Sequence, residues 1–125
     1  MTENEIAKII VNAAYRIHTR LGPGLLESVY ETTMAHELIK SGRGVRRQQA
    51  MPVVYETIRL DIGFWADLIV EDKVIVEIKS IDAICPVHRK QLLTYLKVTD
   101  KRLGLLINFN VEVIKNGISR VVNNL

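Results

Sequence analysis

Residues Asp67 to Lys79, DLIVEDKVIVEIK, constrain this chain more than any other stretch. Two short apolar runs, Leu68-Ile69-Val70 and Val74-Ile75-Val76, read as β-strands, and Glu71-Asp72-Lys73 between them reads as a hairpin loop. Acidic and basic residues are rare inside such strands, so Asp67, Glu77 and Lys79 ask for a chemical reason. Loop length decides which of them meet. A two-residue loop puts Asp67 across from Ile78 and turns Glu77 to the other face, whereas a three-residue loop pairs Val70 with Val74 and sets Asp67 opposite Glu77. Opposed residues carry Cβ atoms about 5 Å apart, close enough for two carboxylates to share one divalent ion, with Lys79 farther along the face of Glu77. Asp tolerates the left-handed backbone that such a loop needs, so the three-residue loop is the expectation. The plain alternative is an edge hairpin whose charges sit in water, Lys79 pairing with Glu77 or Asp67.

The chain has the length of a single domain, residues 1–125. Its 48% hydrophobic and 25% charged residues are those of an ordinary globular protein. Lys and Arg number 17 against 14 Asp and Glu, an excess that permits a polyanionic partner without demanding one. The start, Met-Thr-Glu-Asn-Glu, lacks the basic and apolar regions of a signal peptide, and no apolar run approaches the roughly 20 residues of a membrane span. A cytoplasmic protein without membrane contact is therefore expected. The single cysteine, Cys85, excludes an internal disulfide and a cysteine-rich zinc site. It is expected to be a small buried residue at a helix start.

Ile6, Ile9, Ile10, Ala13, Ile17 and Leu21 recur at helical spacing, which predicts an amphipathic helix over 4–20 with His18 bordering its stripe in a structural role. Gly22-Pro23-Gly24 breaks the chain. A second helix follows to about Ser41-Gly42, with Leu25, Leu26, Val29, Thr33, Met34 and Leu38 along its core side and Glu27 in its first turn, where the helix dipole favours an acid. Arg43, Arg46 and Arg47 then fall in a glycine-bearing loop, either to meet phosphates or simply to be solvated. From Met51 the period becomes two: Val54, Glu56, Ile58, Leu60, Ile62 and Phe64 share a face, and a strand or bent strand pair leads into Asp67. Pro52 suits an edge position, and Trp65 is expected to pack on the face of Asp67.

Pro86 opens a third helix to about Val98, with Leu92, Leu93 and Leu96 inward. His88, Gln91 and Tyr95 form a separate polar stripe, which is either plain surface or the rim of a cleft. Leu103–Phe109 reads as a central buried strand, reached from the Glu77 strand by a parallel crossover. Asn116-Gly117 predicts a closing hairpin of Val111–Lys115 with Ile118–Val122.

An acid on a helix, an acid on a strand, a Glu-x-Lys strand and a helix with Gln91 and Tyr95 one turn apart is an order that resembles the PD-(D/E)XK nuclease superfamily, in its RecB-like and lambda-exonuclease-like branch. Gly24-Leu25-Leu26-Glu27-Ser28-Val29-Tyr30 is similar to the signature of the small GxxExxY proteins of that superfamily, and the likeness runs on through Ala66-Asp67-Leu68, Val76-Glu77-Ile78-Lys79, Gln91–Lys97 and Gly104–Phe109. Ala66 stands where the superfamily motif has proline.

The resemblance implies an α/β (α+β) fold with a restriction-endonuclease-like core, a mixed central β-sheet flanked by helices. It implies Mg2+ or Mn2+ held by Asp67, Glu77 and the Ile78 carbonyl, with Glu27 joining directly or through water. Lys79 would orient the attacking water, and Gln91 and Tyr95 would position the scissile strand, giving Glu27, Asp67, Glu77, Lys79, Gln91 and Tyr95 as catalytic candidates. His88, Arg43, Arg46 and Arg47 join Gln91 and Tyr95 as candidate nucleic-acid contacts. Phosphodiester hydrolysis at neutral pH needs an activated water and a counter-charge, and hard carboxylate oxygens suit the ion that provides both. The expectation is a metal-dependent nuclease acting on DNA, with RNA a weaker possibility. The alternative is a catalytically silent nuclease-fold domain that binds nucleic acid or a protein partner. A short chain leaves little room for a DNA-gripping subdomain, so a homodimer or larger assembly is the expected source of missing surface.

Overall fold

In the computed structural model, which describes residues 1–125, helix α1 (Glu3–Leu21) opens on a capping box. The Thr2 hydroxyl accepts the Glu5 N–H at 3.2 Å, and the Glu5 carboxylate accepts the Thr2 N–H at 3.4 Å. Ile6, Ile10, Ala13 and Ile17 are buried as their spacing requires, and His18 Nε2 bonds the Val111 carbonyl at 2.8 Å. Gly22 (φ 71°) and Gly24 (φ 98°) then take the left-handed backbone that reverses the chain.

Helix α2 (Glu27–Lys40) buries Tyr30, Met34, Ala35 and Leu38. The stripe expected through Leu25, Leu26, Val29 and Thr33 is therefore displaced: Leu26 is 74% exposed and Val29 lies at the surface. Leu25 and Leu26 precede the first helical turn, so the helix starts later than its glycine signal and turns a different side inward. Tyr30 fixes that side. Its hydroxyl donates to the Gly22 carbonyl at 2.6 Å and accepts the Leu25 N–H at 3.1 Å, while its ring stacks on Phe109 at 4.4 Å between centroids.

Strands β1 (Val45–Tyr55), β2 (Ile58–Val70), β3 (Val74–Lys79), β4 (Leu103–Asn108) and β5 (Ile118–Val122) form one sheet in that order. Only β3 and β4 run parallel, joined by helix α3 (Pro86–Thr99). Helices α1 and α2 cover one face, against Leu68, Val70, Val74, Val76, Ile78, Leu105 and Ile107. Leu92 and Leu96 of α3 cover the other, against Ala66, Ile69, Ile75 and Leu106. This is the expected mixed sheet flanked by helices, with β4 buried at every position. Gly104 lets α3 approach it, since a Cβ there would fall 2.8 Å from Leu92 side-chain atoms.

Several local expectations are corrected. Val111–Lys115 is not a strand: Ile114–Gly117 is a 3-10 turn that buries Ile114 in the core, and β5 pairs with β4 instead. Arg46 and Arg47 lie inside β1, not in a loop. The turn between β1 and β2 takes only Glu56 and Thr57, so Val54 pairs with Arg59 and falls on the face opposite Ile58. Trp65 is 53% exposed and packs no site, and Cys85 is exposed at the α3 N-cap. Pro52 sits at a register shift in the edge strand β1, where the missing N–H breaks no ladder.

Removing one oxygen tests the tie that orients α2. Tyr30→Phe is expected to lower the unfolding free energy by about 1–2 kcal/mol, since it orphans the Gly22 carbonyl and Leu25 N–H. Urea unfolding should show a lower midpoint at an unchanged slope.

Candidate active site

Between β2 and β3, Glu71 (φ 54°) and Asp72 (φ 57°) both take the left-handed backbone, and the Lys73 N–H closes on the Val70 carbonyl at 3.1 Å. Glu71 is held there by a two-way tie to Gly44: its N–H donates to the Gly44 carbonyl at 2.8 Å, and its Oε1 accepts the Gly44 N–H at 2.7 Å. Val70 pairs with Val74, Ile69 with Ile75 and Leu68 with Val76, the register of the three-residue loop. The ladder stops there. At the next position Asp67 faces Glu77, and side chains replace the backbone pairing: Glu77 Oε2 accepts the Asp67 N–H at 3.1 Å, and Asp67 Oδ2 accepts the Ile78 N–H at 2.9 Å. The two carboxylates are thereby fixed inside a fork between the strands.

Their electrostatics are unfavourable as they stand. Glu77 is only 7% exposed, and no Lys, Arg or His forms an ion pair with either acid. Burial, and then the charge of Asp67, push the Glu77 carboxyl up to about 8 from its ordinary 4.5, against a smaller downward pull from Lys79. Tyr95 of α3 is raised too, by burial and then by Glu77 and Asp67.

On the other side of Asp67 stands Gln48 of β1. Its amide donates to Asp67 Oδ1 at 3.1 Å and also to the Glu31 carboxylate, and Arg47 donates to Glu31 at 3.0 Å and to the Thr32 hydroxyl at 2.8 Å. Gln48 has φ 44°, rare for a residue with a side chain inside a strand. Strict alternation breaks here on both strands: Ala66 and Met51 join the α3 side of the sheet, whereas Leu68, Val70 and Val45 join the α1/α2 side. Gln48 and Asp67 are thus the cross-strand pair at which the hairpin exchanges its two faces. Neither Gln48 nor Glu31 was signalled by the sequence, because the inward turn of α2 at Tyr30 that brings Glu31 to β1 is set by tertiary contacts.

Glu27, Ser28, Glu31, Gln48, Asp67 and Ile78 line a cleft of about 280 Å3. Glu27 thus reaches it from the first turn of α2, with Oε2 accepting the Ser80 N–H at 3.2 Å just beyond β3. On the far side, the Tyr95 ring stacks on Phe64 at 3.8 Å and is half-buried, while Gln91 is exposed. His88 Nδ1 accepts the Cys85 N–H at 2.9 Å and so caps α3. The arginines do not assemble into one patch: Arg47 is engaged by α2, Arg46 lies 3.7 Å from Asp72, and Arg43 bonds the Ser41 carbonyl.

Comparison with known proteins bears on the family and the fold. The profile of the PD-(D/E)XK nuclease superfamily matches residues 4–121. The chain belongs to that superfamily. Among solved structures it is similar to an alkaline exonuclease from Laribacter hongkongensis, with a TM-score of 0.53 and 16% identity over 99% of this chain and 73% of the other. That likeness is one of fold. No curated protein matches the chain.

Nucleases of the PD-(D/E)XK superfamily generally depend on a divalent metal, and the donor set fits one. Two opposed hard carboxylates lack a cationic partner, and burial makes their joint ionisation costly until a cation neutralises it. No group of three His, Cys, Asp or Glu side chains stands close enough to hold an ion. The remaining positions would fall to backbone carbonyl and water, with Glu27 outside direct reach.

The raised Glu77 carboxyl gives a signed prediction for the metal-free protein. Below pH 4.5 the group is protonated folded or unfolded and contributes no pH dependence. Between 4.5 and about 8 the unfolded chain releases this proton and the folded chain keeps it, so stability falls as pH rises. The whole difference is about 5 kcal/mol. In EDTA, the Tm advantage of Glu77→Gln over the native chain should grow from pH 4.5 to pH 8. A constant difference across that window would contradict the burial of an uncompensated acid.

Proposed function

We propose that this chain is a divalent-metal-dependent nuclease that hydrolyses phosphodiester bonds in DNA. The observation that carries the reading is the fork at Asp67 and Glu77 in a PD-(D/E)XK chain, two opposed acids without a counter-ion, one on β2 and the other on the Glu-x-Lys strand β3. Asp67, Glu77 and the Ile78 carbonyl would hold Mg2+ or Mn2+, and Glu27, which lines the same cleft as Asp67 and Ile78, would contribute through water. Such an ion would supply an activated water and a counter-charge for the phosphate.

The chain's own groups then divide the work. Lys79 carries no ion-pair partner, and its charge is felt by Glu77, so its ammonium is available to hydrogen-bond the attacking water or a phosphate oxygen. Gln48 keeps Asp67 aimed by holding Oδ1 while the Ile78 N–H holds Oδ2. The Tyr95 ring is set by Phe64, and with Gln91 and His88 along the same helix it lines the approach for the scissile strand. Arg43 and Arg46, the arginines not bound to α2, contact flanking phosphates. DNA is the substrate proposed from the resemblance to the RecB-like and lambda-exonuclease-like branch, and the alkaline exonuclease of similar fold is a precedent for the architecture.

The test is cleavage of linear and circular, single- and double-stranded DNA, beside RNA of the same sequence, with Mg2+ or Mn2+ and with EDTA. The native chain should cut only with metal. Glu77→Ala should abolish cutting together with the rise in Tm that Mn2+ induces, and Lys79→Ala should keep that rise but lose roughly a hundredfold or more in rate. If Mn2+ binds through Glu77 and every substrate stays intact, the silent nucleic-acid-binding domain becomes the better reading.

A further inference from the structure

Strand β2 is longer than its neighbours can cover. β1 pairs with it almost end to end, but β3 pairs only with Leu68, Ile69 and Val70. From Ile58 to Ala66 its second edge has no strand beside it. In an antiparallel ladder every other residue turns its N–H and C=O away from a lone partner, so this half-edge presents unpaired donors and acceptors. The side chains along it are apolar and open to water: Ile58, Leu60 and Ile62 are 58%, 53% and 56% exposed. Globular proteins seldom leave such an edge bare.

The sequence of the edge is Ile58-Arg59-Leu60-Asp61-Ile62, which is complementary to itself. If a second copy lies antiparallel with the two-fold axis at Leu60, Ile58 meets the second copy's Ile62 and Leu60 meets its counterpart. Arg59 then meets the second copy's Asp61 on both sides of the axis. Moving the axis to Arg59 or Asp61, or pairing the strands in parallel register, sets like charge against like. In the single chain these two side chains hold each other, Arg59 Nε to Asp61 Oδ1 at 3.3 Å, both largely exposed. A same-strand pair of that kind contributes little and exchanges readily for a cross-chain one.

We infer that the free edge of β2 at Ile58–Ile62 is an isologous interface where two copies of this chain join their sheets. The occupant is a second copy because the charge order matches itself, whereas an unrelated extended peptide would gain backbone hydrogen bonds without matched charges. Asp67 lies seven residues from the axis, roughly 23 Å along the strand, so the two candidate sites stand about 45 Å apart on one continuous sheet. No interface residue belongs to the candidate site, and the inference does not depend on nuclease activity.

Sedimentation velocity over a concentration series tests it. The native chain should form dimers, and Leu60→Lys should abolish them. Arg59→Asp and Asp61→Arg should each weaken self-association by roughly tenfold or more, since both symmetric pairs turn repulsive. An equimolar mixture of those two variants should recover the dimer, because an arm bearing two acids then faces an arm bearing two bases. Circular dichroism should be unchanged throughout, as all three positions lie outside the core, and Leu60→Lys decides the matter should a charge variant misfold. A native chain that stays monomeric at about 100 μM overturns the inference. So does a dimer that survives both charge variants, or a mixture that associates no better than its components.

Discussion

At the fork between β2 and β3, each acid accepts a backbone N–H of the opposing strand, Glu77 from Asp67 and Asp67 from Ile78. This exchange takes over where the backbone ladder ends, so the strands part without orphaning those two donors. It also positions both carboxylates through the sheet itself. An aim set by backbone is shared by every strand that packs against it, and β3 is held on its other side by β4 along its whole length. Beyond the fork, Asn108 continues that support. Its buried amide accepts the Ile81 N–H at 3.1 Å and donates to the Ile81 carbonyl at 3.0 Å, which secures the chain leaving Lys79.

The same fork needs the hairpin to change sides. Up to Gln48 and from Leu68 onward, β1 and β2 present apolar side chains to α1 and α2; beyond that pair they present Met51, Phe64 and Ala66 to α3. A strand alternates its faces, so the exchange requires an irregular residue on each strand, and the positive φ of Gln48 is the visible half of it. The Gln48 amide compensates by bridging Asp67 and Glu31, and Arg47 neutralises Glu31 in turn. Strain and polar network thus sit at one cross-strand pair, which is also the pair that carries an acid of the candidate site.

Where a reading rested on local chemistry, the sequence was legible. The parity of the β2–β3 loop followed from three polar residues between apolar runs, and it placed Asp67 opposite Glu77. The buried run of β4 and the proline start of α3 were equally plain. Readings that depended on tertiary partners failed. The rotation of α2 is decided by Tyr30 finding Gly22 and Phe109, neither of which lies in its own periodicity. Ile118–Val122 left the expected hairpin because β4 offered a buried edge, and Ile114 went to the core under α1. The face exchange at Gln48 was invisible because Gln in a strand reads as ordinary surface. Arg47, read from the sequence as a phosphate contact or a solvated charge, instead meets Glu31 across α2 and β1.

The glycine-rich turn before α2 shows how one short motif serves two ends. Gly24 gives the backbone its left-handed turn, and Tyr30 pulls that turn against the helix through Gly22 and Leu25. With the turn pinned, the Leu25 carbonyl accepts the Ser80 hydroxyl at 2.6 Å, and Glu27 accepts the Ser80 N–H. The start of α2 is therefore bolted to the end of β3 one residue past Lys79. A glutamate free to swing in its first helical turn would gain only the helix dipole. Held by Ser80, Glu27 faces the cleft it shares with Asp67, and the helix that carries it is anchored by Tyr30 stacked on Phe109. Core packing on the α1/α2 side thereby anchors the helix that brings a third acid to the cleft of Asp67, whose own aim the sheet has already fixed.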